Sequence, residues 1–291
     1  MNKIQLTRVS VVFFLGSEKM KKRLIIYTLL ISALLAACSN SKQKSSVEIF
    51  NQSGSIVSLE SYASLSNKLW GWGMRRTPDG PEFTAQQEAT MEKYSCIYRG
   101  AKTDKSIYLT FDEGYENGYT SIILDVLREK NVPAAFFVTG AYVKNEPDLI
   151  KRMAREGHII GNHTMNHPSM PSLKDGESFT KELVELDRLI FGLTKKQCRF
   201  FRPPKGEYSD RVLAIVKDMG YTTVFWSLAF VDWDNKISAE EAEKKVFENL
   251  HGGCVMLLHA VSKGNAQALG NVIDRARKEG YEFKSLKDYK P

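Results

Sequence analysis

Cysteine is scarce in this 291-residue chain, with four in all and no C-x-x-C pair. Cys96, Cys198 and Cys254 lie in the body of the chain, an odd count that argues against a full disulfide framework. One bridge is the alternative to the buried free thiols expected here, and none of the three has metal-site spacing. Long hydrophobic runs are missing too. The apolar segment from Leu24 to Ala37 falls short of the roughly 20 residues that span a bilayer comfortably. No internal repeat is visible. A strong net charge is also lacking once the start of the chain is set aside. The whole sequence carries 41 Lys+Arg against 34 Asp+Glu, but residues 1–37 hold six of those bases and one acid. The remainder stands at 35 against 33, which gives no support for nucleic-acid binding.

What the start of the chain does have is an export signal. Lys19, Lys21, Lys22 and Arg23 precede the apolar segment, as in a signal peptide. Met20 begins a complete signal by itself, so residues 1–19 read as an over-extended start. Leu35-Ala36-Ala37-Cys38 resembles a bacterial lipobox. That resemblance implies a lipid on Cys38 and a mature protein held on the outer face of the cytoplasmic membrane, facing the cell wall; an ordinary secretory signal is the alternative. Residues 38–65 read as a flexible tether. Residues 66–104, which include Trp70-Gly71-Trp72-Gly73, read as an N-terminal extension packed on a main domain of residues 105–291.

In that main domain, strand-like and helix-like segments alternate. Apolar runs at 107–111, 134–138, 158–161, 199–202, 222–226 and 255–259, with a weaker one at 281–283, are mostly separated by amphipathic stretches such as 121–130, 177–191 and 266–279. Repeated βα units imply a parallel sheet. The stretch is short for eight units, so the expected class is α/β, a distorted or incomplete (β/α) barrel. Asp112, His163, Arg202, Asp232 and His259 each fall at or just past a predicted strand's C-terminal end, where barrel enzymes assemble their sites.

Two of these places carry chemistry on sight. Asp112 and Glu113 end an apolar run, and His163-Thr164-Met165-Asn166-His167 follows about fifty residues on. An acidic pair with an H-x-x-x-H pair is the outline of a metal-assisted hydrolase. The i, i+4 spacing brings the two imidazoles together if the segment makes a helical turn. His158 and His251 fit neither pattern and read as structural.

Thr110-Phe111-Asp112-Glu113-Gly114, His163 to Pro168, Arg202-Pro203-Pro204-Lys205-Gly206, Asp232-Trp233 and Leu257-Leu258-His259 together resemble the ordered motifs of the polysaccharide deacetylases, the NodB-homology family 4 carbohydrate esterases. The text around them is similar to the delta-lactam-biosynthetic de-N-acetylases of that family. The resemblance implies a barrel of the NodB type and metal-dependent de-N-acetylation of an amino sugar in cell-wall glycan. N-acetylmuramic acid of peptide-stripped peptidoglycan, leading to muramic delta-lactam in a sporulation setting, is the first substrate it suggests. N-acetylglucosamine in peptidoglycan or chitin-like polymers is the alternative, and a glycan-binding wall protein of weak catalysis is another.

Residue by residue, the resemblance makes Asp112 the catalytic base, Arg202 the cation that orients it, His259 the general acid and Asp232 its partner. It makes His163 and His167 metal ligands. Glu113 stands where many members have an aspartate ligand, so a longer side chain must reach the ion or leave the position to water. Trp233 is expected to wall the sugar pocket, and Tyr208 to offer a backbone N–H to the oxyanion. The metal is open: two imidazoles and a carboxylate suit Zn²⁺, and Co²⁺, Mn²⁺, Ni²⁺ or Fe²⁺ accept similar ligands.

Overall fold

The apolar runs become seven strands of one parallel sheet: β1 (Ser106–Glu113), β2 (Ala134–Val138), β3 (Ile159–Asn162), β4 (Phe200–Phe201), β5 (Thr222–Thr223), β6 (Cys254–His259) and β7 (Glu282–Phe283). This computed structural model describes residues 49–50, 56–57 and 59–291, Asn235 excepted. The expected export signal, Cys38 and most of the expected tether therefore lie outside the described residues, and the lipid-anchor expectation with them. Among the described residues no helix is long and apolar enough to cross a membrane.

Strand order is β5-β4-β3-β2-β1-β6, with β7 paired to the first residues of β1. The two ends of this path are joined by an irregular stretch. Val224 N–H donates to Phe201 O at 2.8 Å, while Leu228 N–H donates to Val255 O at 3.1 Å. The chain from 224 to 228 thus crosses from one edge of the sheet to the other. It was expected to continue as strand, yet only Thr222–Thr223 does so. The barrel closes through a crossing segment in place of further regular strands, which is the distortion that its short length requires.

Alternation along β1 sorts its side chains between two cores, because successive strand residues point to opposite faces. Ile107, Leu109 and Phe111 pack outward with Ile123, Leu124 and Leu127 of α1 (Thr120–Lys130). Tyr108 packs inward with Phe137, Val224 and Val255. Thr110 and Asp112 share the inward phase of Tyr108, and Glu113 shares the outward phase of Phe111.

Helices follow where side-chain caps satisfy the first turn's orphan N–H groups. Ser209 caps α2 (Asp210–Asp218), Ser238 caps α3 (Ala239–Phe247) and Ser262 caps α4 (Lys263–Lys278). The amphipathic stretch at 177–191 departs from expectation. A π-helical segment, Thr180–Val184, interrupts it before the chain returns to α-helix over Glu185–Thr194.

The N-terminal extension is built into the same compact unit. Trp70–Gly71 pairs antiparallel with Glu207–Tyr208, and Arg75–Thr77 forms a hairpin with Gly80–Glu82. Trp72 stacks on Phe225 at 4.5 Å and on Phe83 at 5.1 Å. All three body cysteines are buried and form no disulfide.

Candidate active site

Arg202 is the centre of the barrel's polar interior. Its guanidinium has no exposed surface, and every nitrogen has a partner. Nη1 donates to Asp112 Oδ1 at 2.8 Å, Nη2 to Thr110 Oγ1 at 2.9 Å, and Nε to Val224 O at 3.2 Å. Phe137 lies beneath it at 4.1 Å. A guanidinium held on all sides in this way cannot follow a moving anion, so it holds the Asp112 carboxylate in one orientation. Burial alone would raise the pKa of Asp112. The charge of Arg202, and then those of His163 and His259, outweigh burial and leave it below the ordinary range. Asp112 is therefore ionised.

His163 follows β3 and is buried. Its Nδ1 lies 2.8 Å from Arg202 O, and a carbonyl can only accept, so Nδ1 carries the proton. The lone pair is then on Nε2, 3.5 Å from Asp112 Oδ2. The His167 ring lies 4.8 Å from that of His163 at an interplanar angle of 69°. The expected helical turn is not what joins them. Thr164 and His167 both have left-handed backbones, φ +70° and +58°, and His167 N–H donates to Thr164 Oγ1 at 2.9 Å. Glu182 locks the loop from outside, accepting from Asn166 N and Nδ2, each at 2.8 Å. Glu182 sits in the π-helical segment, whose extra residue per turn swings it onto this loop.

Burial lowers the pKa of both imidazoles, and His167 falls to about 4 with its neighbour's charge adding to the effect. His259 moves the other way. Burial opposes its charge, but a hydrogen bond to Asp232, and that group's charge, outweigh burial and raise it. Asp232 Oδ1 lies 2.7 Å from His259 Nδ1, and Oδ2 accepts from His259 N–H at 2.9 Å and from Asn265 Nδ2 at 2.5 Å. Two neutral imidazoles therefore face one protonatable imidazole across an ionised carboxylate. Environments that push like groups apart in this way mark separate roles.

The donor chemistry fits a divalent ion. His163 and His167 offer neutral nitrogens and Asp112 a carboxylate oxygen. Among the described residues no group of three or more His, Cys, Asp or Glu is gathered as a preformed metal cage. An ion held by these groups would have further positions filled by water or substrate.

Glu113 is placed elsewhere. Its outward phase on β1 buries the carboxylate, and neither oxygen has a hydrogen-bond partner. It does not line the cleft that holds Asp112, His163, His167 and His259. Burial, then the charges of Glu116 and Asp112, push its pKa well above the usual carboxylate value. Such a group favours the fold when protonated and loses that contribution as pH rises. Glu113→Gln should therefore raise the metal-free chain's melting temperature at pH 7 by several degrees, and by less at pH 5, as read by calorimetry. An equal shift at both pH values would contradict the burial of a neutral acid.

Tyr208 is also placed away from the expected site. It pairs with Trp70, packs among Trp72, Met91 and Phe225, and does not line the cleft. The extension's strand claims that stretch of backbone. Trp233 does line the cleft, with its ring 5.1 Å from that of His259; at 51 % exposure it is too open for a core residue. His158 accepts from Ala134 N–H at 3.2 Å, and neither it nor His251 reaches the cleft. The cleft has a volume of about 1120 Å³. Its floor is braced at Gly206, φ +67°, where a Cβ would stand 2.8 Å from Trp226.

Known proteins resemble this chain over the same ground. A polysaccharide deacetylase family model matches residues 99–224. The chain is 44% identical over 232 residues to the peptidoglycan-N-acetylmuramic acid deacetylase PdaA of Bacillus subtilis, covering 77% of this chain and 87% of that one. A peptidoglycan-N-acetylglucosamine deacetylase of Bacillus cereus is 32% identical over 200 residues, with coverage of 67% and 72%. The solved structure of PdaA, described as a family 4 carbohydrate esterase, superposes with a TM-score of 0.75 at 43% identity, covering 77% of this chain and 98% of that one.

Proposed function

The chain belongs to the polysaccharide deacetylase family, and from that premise we propose that it removes acetate from N-acetylmuramic acid in peptide-stripped peptidoglycan. The observation that carries the chemistry is Asp112, held ionised by Arg202 between the neutral His163 and His167 and the Asp232-bound His259. The substrate rests on the likeness to PdaA over most of the chain. The freed amine can then close on the lactyl carboxylate to give muramic delta-lactam, a product suited to a sporulation role. Export behind the signal of residues 1–37, with Cys38 lipidated, would put the enzyme against the wall.

His163 and His167 are the residues to hold the divalent ion, with Zn²⁺ first among the candidates. When bound there, the ion supplies Lewis acidity, which polarises a carbonyl and makes a neighbouring water more acidic. Asp112 takes the proton from the attacking water, and Arg202 keeps that carboxylate charged and aimed. Attack on the acetamide carbon gives an amine leaving group that needs a proton before the C–N bond breaks. His259 donates it, and Asp232 and Asn265 hold the imidazole for the transfer. Trp233 closes one side of the sugar pocket.

The roles of Asp232 and His259 predict a pH signature. An acid must be protonated, so kcat/KM falls as pH rises through the His259 pKa. Asp232→Asn removes the group that raises that pKa and leaves burial to lower it. The alkaline limb of the pH–rate profile should move to lower pH, with a loss of about 10²–10⁴-fold at neutral pH. An unmoved limb would place the acid elsewhere.

N-acetylglucosamine in wall glycan is the second reading, favoured by the likeness to the Bacillus cereus enzyme. Acetate release by the mature chain, metal-replete and chelated, decides between them. Metal-dependent release from peptide-free glycan strands, with delta-lactam in the digest, supports the muramic reading. Release only from N-acetylglucosamine oligomers moves the substrate, and release from neither favours a glycan-binding protein.

A further inference from the structure

The machinery above reads an acetamide, and nothing in it distinguishes sugars by their other substituents. One cation in the cleft lies outside that machinery and before the stretch of 99–224 that matches the family. Arg76 sits in the extension's hairpin and lines the same cleft as Asp112 and His259. Its neighbour Arg75 points to the other face of the strand, where Glu82 neutralises it. Arg76 has no acidic partner among the described residues. Its Nη2 donates to the carbonyl of Ala229 on the cleft rim, which anchors the guanidinium while leaving its other N–H groups open.

The other cations at the cleft are differently placed. Arg202 lies beneath the cleft and is fully committed within the barrel; among the lining residues Lys236 pairs with Asp234 at 3.5 Å, and Lys245, without an ion pair among the described residues, offers an ammonium and no planar fork. Lys205 has no ion pair among the described residues, but its ammonium is a point charge that acts on His167. Arg76 alone combines a planar fork, a fixed anchor and an unneutralised charge. Those are the properties that suit bidentate binding of a carboxylate.

We propose that Arg76 is a specificity-determining residue that binds a free carboxylate carried by the N-acetylated sugar. A lactyl ether offers such a group once its peptide has been removed, and is a neutral amide while the peptide is attached. The extension would thus select peptide-free substrate by charge, a property the acetamide chemistry cannot supply. This inference rests on the sugar de-N-acetylase reading of the site.

The test compares acetate release from peptide-free glycan strands with release from the same strands after their lactyl carboxylates are converted to primary amides. The parent should prefer the free acid. Arg76→Ala should reduce that preference, as the ratio of kcat/KM values, by about 10- to 100-fold through KM, the scale of a lost charge-assisted hydrogen bond. Arg76→Lys should recover part of it. A misfolded hairpin would lower both rates in Arg76→Ala and Arg76→Lys alike, so partial recovery of the preference in Arg76→Lys separates a lost charge from a lost fold. An unchanged ratio in Arg76→Ala, or no preference in the parent, would overturn the proposal while acetate release itself kept the deacetylase reading. A ratio that collapses in Lys205→Ala and not in Arg76→Ala would also overturn it. Release from neither strand by the parent would end both readings together.

Discussion

Asp112→Asn should release acetate about 10²–10⁴-fold more slowly than the parent chain, the scale of a lost general base. The substitution is nearly isosteric, so it removes basicity and charge while keeping shape. Burial, which would otherwise make Asp112 a neutral acid, is overcome by Arg202 at 2.8 Å and by the imidazoles around it. Once the carboxylate is gone, Arg202 remains fully buried with no countercharge, and removing one partner of a buried pair costs about 3–5 kcal/mol. The same variant should therefore unfold at lower temperature. Its metal content separates two roles for the group. Retained ion with lost turnover assigns Asp112 to proton transfer, whereas loss of both makes its Oδ2, near His163, part of the ligand set. Parental turnover would remove Asp112 from the mechanism.

His163→Ala and His167→Ala should each lose the divalent ion and fall to background activity. His163 Nδ1 is spoken for by Arg202 O, which leaves Nε2 as the single donor nitrogen on that ring. With two imidazoles and, among the described residues, no cage of further side chains, losing either leaves too few donors to hold the ion against water. Elemental analysis after gel filtration reads the metal directly. Chelation should silence the parent, and added Zn²⁺ should restore it and neither variant. Full metal content in either single variant would show that the pair does not hold the ion.

Much of this site was legible before any fold. The apolar runs marked the strands, and Asp112, His163, Arg202 and His259 stood at or beside their ends. Parallel strands share a direction, so such residues meet at one mouth of the barrel. For Glu113 the family pattern left two roles open, although the sequence held a usable signal. Its spacing from Ile107, Leu109 and Phe111 is even, which sets it on the helix-facing side of β1 and away from Asp112. The helical turn expected at His163 failed for a different reason. Backbone preference disfavours left-handed Thr164 and His167, and contacts from Glu182 and Asn162 hold them there.

Asn265, Glu182 and Arg76 carried no local signal. Asn265 reaches Asp232 across 33 positions, and Glu182 reaches Asn166 across 16. Arg76 enters the cleft from a hairpin that no catalytic pattern includes. A polar residue in a helix or hairpin looks like ordinary solvated surface until something places a partner beside it.

The sequence by itself determined the parallel α/β architecture, the order of the motifs and the residue types that could do metal-assisted chemistry. These follow from periodicity and spacing, which are properties of neighbours along the chain. The tertiary structure decided which carboxylate faces the imidazoles, which histidines are driven toward the neutral form and which toward the charged one, and which arginine lines the cleft with no acidic partner among the described residues. Those depend on burial and on charges brought together from distant segments. Desolvation and Coulombic interaction act through space, so closing the barrel gives similar side chains different chemistry.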